Sequence, residues 1–275
     1  MNKQIKFFMV AFVAIISILS CKKEIDYSDP NSNGCQLTSW KLISGTGEFT
    51  LNMEYDAIGR VIKESDSEGE TYTRVFTANK ITATDPDGVV DELILSNGRA
   101  ISSGSGGVIE AGVARFENTK KYSYDADGYL TKVETYQSGI LVQTNVFSYA
   151  DGNLIKSVIR EGSTGEIQNT TTFTYRSEKA VNTSLSSDPL TTFVDYQKGG
   201  YFGKASKNFI ASESYTSFDP LGNTLVIDNS VYSYQFDSKG NATVLNITST
   251  STLNNGGAGT PDTSTYKYEM IYNCK

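Results

Sequence analysis

The sequence predicts an all-β chain: a single antiparallel β-meander of hairpin repeats forming a strongly curved sheet or a closed, barrel-like structure. Three observations carry this. Short runs of alternating apolar and polar residues are punctuated by Asp/Gly-rich turns along the whole chain. Tyr124, Tyr149 and Tyr175 lie 25 and 26 residues apart at the edge of such turns, a spacing typical of repeat architectures. No long stretch keeps a helical period; residues 108–117 could form a short helix, but Gly112 and the β-branched residues weaken that reading.

Residues 1–20 stand apart from the fold. Lys3 and Lys6 precede an apolar run over 7–19, thirteen residues long. About 20 are needed to span a bilayer, so the run fits a signal-peptide core. Ile18-Leu19-Ser20-Cys21 resembles a bacterial lipobox, which implies cleavage before Cys21, lipidation of Cys21 and anchoring to the outer membrane, on its cell-surface or periplasmic face. The alternative is a secreted protein with a fortuitous cysteine. Residues 21–34 are polar and aperiodic, and read as the lipidated cysteine and a flexible tether to a single domain over 35–275.

Loss of residues 1–20 removes two positive charges, taking the net charge from −7 to −9. Nucleic-acid binding depends on clustered Lys and Arg, so no nucleic-acid partner is expected. The absence of histidine excludes Ser-His-Asp and Cys-His catalysis and imidazole metal sites. No cofactor is expected. With Cys21 assigned to lipid, Cys35 and Cys274 remain, an even pair that reads as a disulfide in an oxidising compartment; the alternative is two separate buried thiols.

From Cys35 onward an aromatic-Asp-x-x-Gly pattern recurs at Tyr55–Gly59, Tyr124–Gly128, Phe218–Gly222 and Phe236–Gly240, with a shorter form at Tyr149–Gly152 and a worn one at Tyr175–Lys179. Asp accepts a bond from a backbone N–H two residues on, and Gly supplies φ > 0. Asn97-Gly98 and the stretch 104–107 read as further turns. At the C-terminus Tyr266, Tyr268, Met270, Tyr272 and Cys274 share one face of a strand.

The aromatic-Asp-x-x-Gly spacing resembles the YD repeats of the RHS family, whose hairpins coil into large sheets. More of the chain resembles a Bacteroidota lipoprotein family of unknown function. That likeness rests on the lipobox, a cysteine near each end, and Phe202-Gly203-Lys204-Ala205-Ser206-Lys207-Asn208 followed by Tyr232–Gly240. It implies an exported, anchored protein and brings no activity with it.

Candidate chemistry is sparse. Residues 123–134 match an EF-hand loop at Asp125, Asp127 and Glu134, but Ser123 occupies the first ligand position and the flanks alternate like strands, so a hairpin turn explains them better. Lys198, Tyr201, Phe202, Lys204, Lys207 and Asn208 interrupt the repeat and form either a plug against the sheet or a ligand-contact loop. Paired carboxylates are the catalytic route open without histidine, with Glu92, Glu110, Glu117 and Glu134 as strand-borne candidates. The expected function is a non-enzymatic binding or structural module for a glycan or surface protein. The rivals are a carboxylate-based glycan hydrolase and a half-barrel carrier of apolar cargo.

Overall fold

The computed structural model describes residues 34–110, 113–180, 201–253 and 261–274. The signal segment, Cys21, residues 22–33 of the tether and Lys198 lie outside the described residues.

Seventeen strands are described. The first seven are β1 (Cys35–Ser44), β2 (Gly47–Tyr55), β3 (Val61–Asp66), β4 (Thr71–Phe76), β5 (Lys80–Thr84), β6 (Val90–Ser96) and β7 (Arg99–Glu110). Then come β8 (Val113–Arg115), β9 (Asn118–Tyr124), β10 (Leu130–Gln137), β11 (Ile140–Ala150), β12 (Asn153–Glu161) and β13 (Ile167–Lys179). The last four are β14 (Asn208–Phe218), β15 (Thr224–Phe236), β16 (Ala242–Leu253) and β17 (Asp262–Cys274). All pairings are antiparallel, and β1 pairs with both β2 and β17, so the sheet closes on itself. β7 pairs onward to β9, while β8 folds back on the end of β7, leaving a ring of sixteen strands.

Strand direction alternates, so connections fall at two ends. One end holds Cys35, Cys274 and the turns at 56–60, 97–98, 125–129, 151–152 and 237–241; it is the closed end. The other end, the mouth, holds the turns at 67–70, 85–89, 138–139, 162–166 and 219–223. A period of 25 or 26 residues is one strand out and one strand back, which returns each repeat of the tyrosine to the same end. Tyr55, Tyr124, Tyr149, Tyr175 and Phe236 all stand at the closed end and pack in its core.

The Asp turns form as their chemistry dictates. Asp56 Oδ1 accepts from Ile58 and Arg60 N–H, and Asp237 Oδ1 from Lys239 and Asn241 N–H. Gly59 and Gly240 take φ of 86° and 83°. Asp66 and Asp85 build the same turn at the mouth with no aromatic before them, so Asp and Gly make the turn and the aromatic serves the core.

Just inside the closed end the ladder slips by one residue at Thr38, Ile62, Ile101, Thr131, Ile155, Ala211 and Thr243. The residue before each bulge is buried: Leu37, Val61, Ala100, Leu130, Leu154, Ile210 and Ala242. Bulges bend strands and sharpen twist, which draws this end of the barrel inward around those side chains.

Two sequence expectations are corrected. The glycine stretch 104–107 and residues 108–110 are strand rather than turn or helix; Phe116 covers Gly104 and Gly107, where added Cβ atoms would sit 2.3 and 2.4 Å from its ring. Tyr175–Lys179 makes no turn, because β13 runs through to Lys179.

The outer wall mixes polar and apolar residues. On β15 the odd-numbered residues from Leu225 to Gln235 are exposed, while the even-numbered ones turn into the barrel. Outward ion pairs girdle the ring: Lys41–Glu48 at 2.5 Å, Lys63–Glu54 at 2.7 Å, Lys80–Glu92 at 2.5 Å and Lys132–Glu134 at 3.0 Å. A lipid-facing barrel needs an outward apolar band about 25 Å tall with aromatic girdles, and each lysine at mid-bilayer costs about 2–4 kcal/mol. The described wall carries these ion pairs and, among its outward residues, the exposed Val75, Val231 and Ile271.

Candidate functional site

The barrel interior divides along its axis. Its closed half is a packed floor in three contiguous clusters, with Leu37, Trp40, Phe209 and Tyr268 in one, Leu130, Phe147 and Phe173 in another, and Ile81 and Leu93 in the third. Phe202 joins the second and third clusters, lying 5.2 Å from the Tyr122 ring.

Residues 201–208 seal that floor. The Tyr201 carbonyl accepts from Ala100 N–H at 2.7 Å, Lys204 N–H donates to the Gly128 carbonyl at 3.0 Å, and Lys207 N–H donates to the Gly152 carbonyl at 3.0 Å. Leu154 N–H donates to Ser206 Oγ at 3.0 Å, and Asn208 N–H to Asn153 Oδ1 at 3.0 Å. Gly203 lies so close that an added Cβ would sit 2.5 Å from the Gly128 carbonyl. Of the loop residues singled out in the sequence, Tyr201 and Phe202 thus turn inward, Asn208 is bonded to the wall, and Lys204 and Lys207 are exposed.

The mouth half is different in kind. The ladders bring Thr171, Tyr215, Asp228, Ser251 and Asp262 into one inward row across β13 to β17. One step deeper lie Phe173, Glu213, Ser230, Ser249 and Ser264. Tyr232 Oη donates to Glu213 at 2.9 Å, Tyr215 Oη to Asn169 Oδ1 at 2.7 Å, and Ser157 Oγ to Asn145 Oδ1 at 2.8 Å. Burial and then the Glu213 carboxylate push the Tyr232 phenol above its ordinary range; burial and then Asp228 push Tyr215 up. Glu213 and Asp228 occupy diagonal positions on neighbouring strands, a Cα separation of roughly 7–8 Å. Such a wall offers hydroxyls, amides, carboxylates and phenol rings above a sealed apolar floor, chemistry suited to a polyhydroxylated ligand.

The carboxylates chosen from sequence do not meet there. Glu92 and Glu134 lie on the outer wall, paired to Lys80 and Lys132. Glu117 is exposed at the mouth-side connection, and the Glu110 side chain lies outside the described residues. Sequence reasoning passed over Glu213 and Asp228; their inward parity with Tyr215 and Tyr232 was the available signal. Asp125 Oδ1 is taken by Gly128 and Tyr129 N–H, Glu134 pairs with Lys132, and no group of three metal-competent side chains occurs among the described residues.

Cys35 and Cys274 form the disulfide, joining register partners on the first and last strands. Comparison with known proteins places this geometry in context. A family model described as a domain of unknown function (DUF4595) with porin-like fold matches residues 53–244. The crystal structure of a porin-like protein from Bacteroides uniformis ATCC 8492 is similar with a TM-score of 0.58 at 19% identity, over 86% of this chain and 96% of that one. The Photorhabdus luminescens Tc holotoxin pore overlaps 78% of this chain but 14% of its own, at 13% identity and a TM-score of 0.25. The TcdB2–TccC3 structure does so over 83% and 15%, at 12% identity and 0.23, too low for either to bear on the fold. No curated protein matches.

Proposed function

Since the chain belongs to the DUF4595 family of domains of unknown function with a porin-like fold, we propose that it acts as a non-enzymatic glycan-binding cup. It is tethered to the outer membrane by lipid on Cys21. The observation that carries this is the division of the barrel interior into a sealed floor and a polar mouth lined by Tyr215, Asp228 and Glu213. Carboxylates and amides accept and donate to sugar hydroxyls, and tyrosine faces stack on sugar rings. The apolar half is filled by the protein's own Tyr201 and Phe202, which argues against apolar cargo.

A second reading, carboxylate-based glycan hydrolysis, rests on the diagonal relation of Glu213 and Asp228, since glycosidases hold two carboxyls roughly 5–10 Å apart. Titration of the purified protein against neutral oligosaccharides, with product analysis by mass spectrometry, separates the two. Binding without cleavage that weakens at least tenfold in Asp228→Asn at unchanged melting temperature supports the cup. Released fragments that vanish in Glu213→Gln would establish the hydrolase, and a full panel without binding would end both readings. Membrane retention of Cys21→Ala would refute the anchor.

A further inference from the structure

The two ends of the barrel differ in charge. The mouth turns carry Glu68, Glu70, Asp85, Asp87, Glu166 and Asp219, and among their described residues there is no Lys or Arg. At the closed end the balance changes. Asp56 is paired to Arg60 and Glu178 to Arg176, and Asp125 and Asp237 are bonded within their own turns. The exposed Asp127 and Asp151 are outnumbered by the lysines of this end, Lys239 among them. Lys179, Lys204 and Lys207 are exposed there and make no ion pair among the described residues. They belong to one patch, because Lys179 is the register partner of Asn208 and Ala180 N–H donates to the Lys207 carbonyl. Ile58, 69% exposed, stands in a turn of the same end.

Chain topology puts the patch where the tether is. β1 starts at the closed end, so the segment before Cys35 leaves from there. Residues 22–34 reach at most about 45 Å when fully extended. A tether of that reach keeps this end close to whatever holds Cys21, within range for screened attraction to act during excursions toward the surface.

We propose that the closed end docks on the anionic lipid headgroups of the bilayer that holds the chain, through Lys179, Lys204 and Lys207. The acid-rimmed mouth is then repelled from the same surface and opens away from it. This rests on the lipid-anchor reading above. Docking leaves the hydroxyl- and carboxylate-lined interior facing the aqueous space and sets the barrel axis across the membrane plane, which lipid on Cys21 alone would not do.

The test uses the full lipidated chain in vesicles of phosphatidylcholine with or without phosphatidylglycerol, with headgroup-quencher lipid present in both. A fluorophore is placed at Ser238→Cys, in a closed-end turn, or at Leu221→Cys, in a mouth turn. Quenching at Ser238→Cys should be several-fold stronger in anionic vesicles, collapse in high salt, and be lost in the K179E/K204E/K207E variant, while Leu221→Cys stays unquenched. Equal quenching at the two labels, or quenching at Ser238→Cys indifferent to lipid charge and to the three reversals, would overturn docking. Flotation of the vesicles reports the anchor separately: protein that floats and fails these tests refutes docking alone, and protein that does not float refutes both. An unchanged melting temperature of the charge-reversed variant excludes misfolding as the cause.

Discussion

The hydroxyl of Tyr175 donates a 2.6 Å hydrogen bond to the carbonyl of Leu154, the residue just before the bulge at Ile155. The relation repeats around the closed end. Tyr124 reaches the Ala100 carbonyl at 2.8 Å, Tyr234 the Ile210 carbonyl at 3.0 Å, and Tyr55 the Leu37 carbonyl. Each accepting residue precedes a bulge. A bulge disrupts the ladder and turns a carbonyl out of register, and a buried carbonyl needs a donor. The tyrosines supply it from the neighbouring strand, so the bend that narrows the barrel and the aromatic floor depend on each other.

Tyr175→Phe keeps the ring and removes the donor to Leu154 and the contact with Ser206 Oγ. The expected loss is about 1–2 kcal/mol, a fall of several degrees in melting temperature. Tyr136→Phe, on the outer wall, serves as the control. An equal response to both would show that the bulge carbonyls need no tyrosine.

The Cys35–Cys274 disulfide closes a loop of 239 residues and staples the seam where β1 meets β17. On chain-entropy grounds Cys35→Ala/Cys274→Ala should lose up to about 5 kcal/mol. Hydrogen exchange in the variant should quicken first along β1 and β17. An unaltered thermal melt would mean that the ladder alone holds the seam.

Arg74 and Glu64 form an inward ion pair at 2.5 Å, with 5% and 7% of their side chains exposed. Glu64→Ala removes the carboxylate that pairs with this buried guanidinium and should cost about 3–5 kcal/mol. Replacing both partners, as in E64L/R74M, should recover most of that stability by chemical denaturation. If the double variant were as weak as the single one, the pair would contribute more than mutual neutralisation.

Burial holds the phenols of Tyr55, Tyr232 and Tyr272 above their usual range, with Glu64, Glu213 and Asp237 respectively adding to it. A folded value above the unfolded one gives stability that is intact below about pH 10 and lost as pH rises beyond it. Alkaline titration should therefore show these tyrosinates emerging together with loss of β-sheet circular dichroism. A smooth non-cooperative titration at constant secondary structure would contradict their burial.

Much of the framework was legible in the sequence because it is built from short-range bonds. Asp237 meets N–H groups two and four residues away, so the turn is written in five residues. The shared face of Tyr268, Met270 and Cys274 follows from strict alternation, which no bulge interrupts in β17. The candidate site was less legible for the same reason inverted. Phe209 and Ile210 are both buried because the bulge at Ala211 breaks the alternation, and a slip of one residue exchanges inward for outward faces. Glu213 therefore could not be assigned to the interior by counting from Phe209 and Ile210, only by its alternation with Tyr215 beyond the bulge, and Glu92 and Glu134 could not be assigned to the outer wall.

The sequence by itself determined the hairpins, their turns and the tyrosines that return to one end, since each depends on residues a few positions apart. Tertiary structure alone decided that β1 meets β17, that residues 201–208 seal one end, and that Glu213, Asp228 and Tyr215 share the other. Those outcomes depend on ladder register summed around sixteen strands, a global quantity that no local stretch of the chain contains.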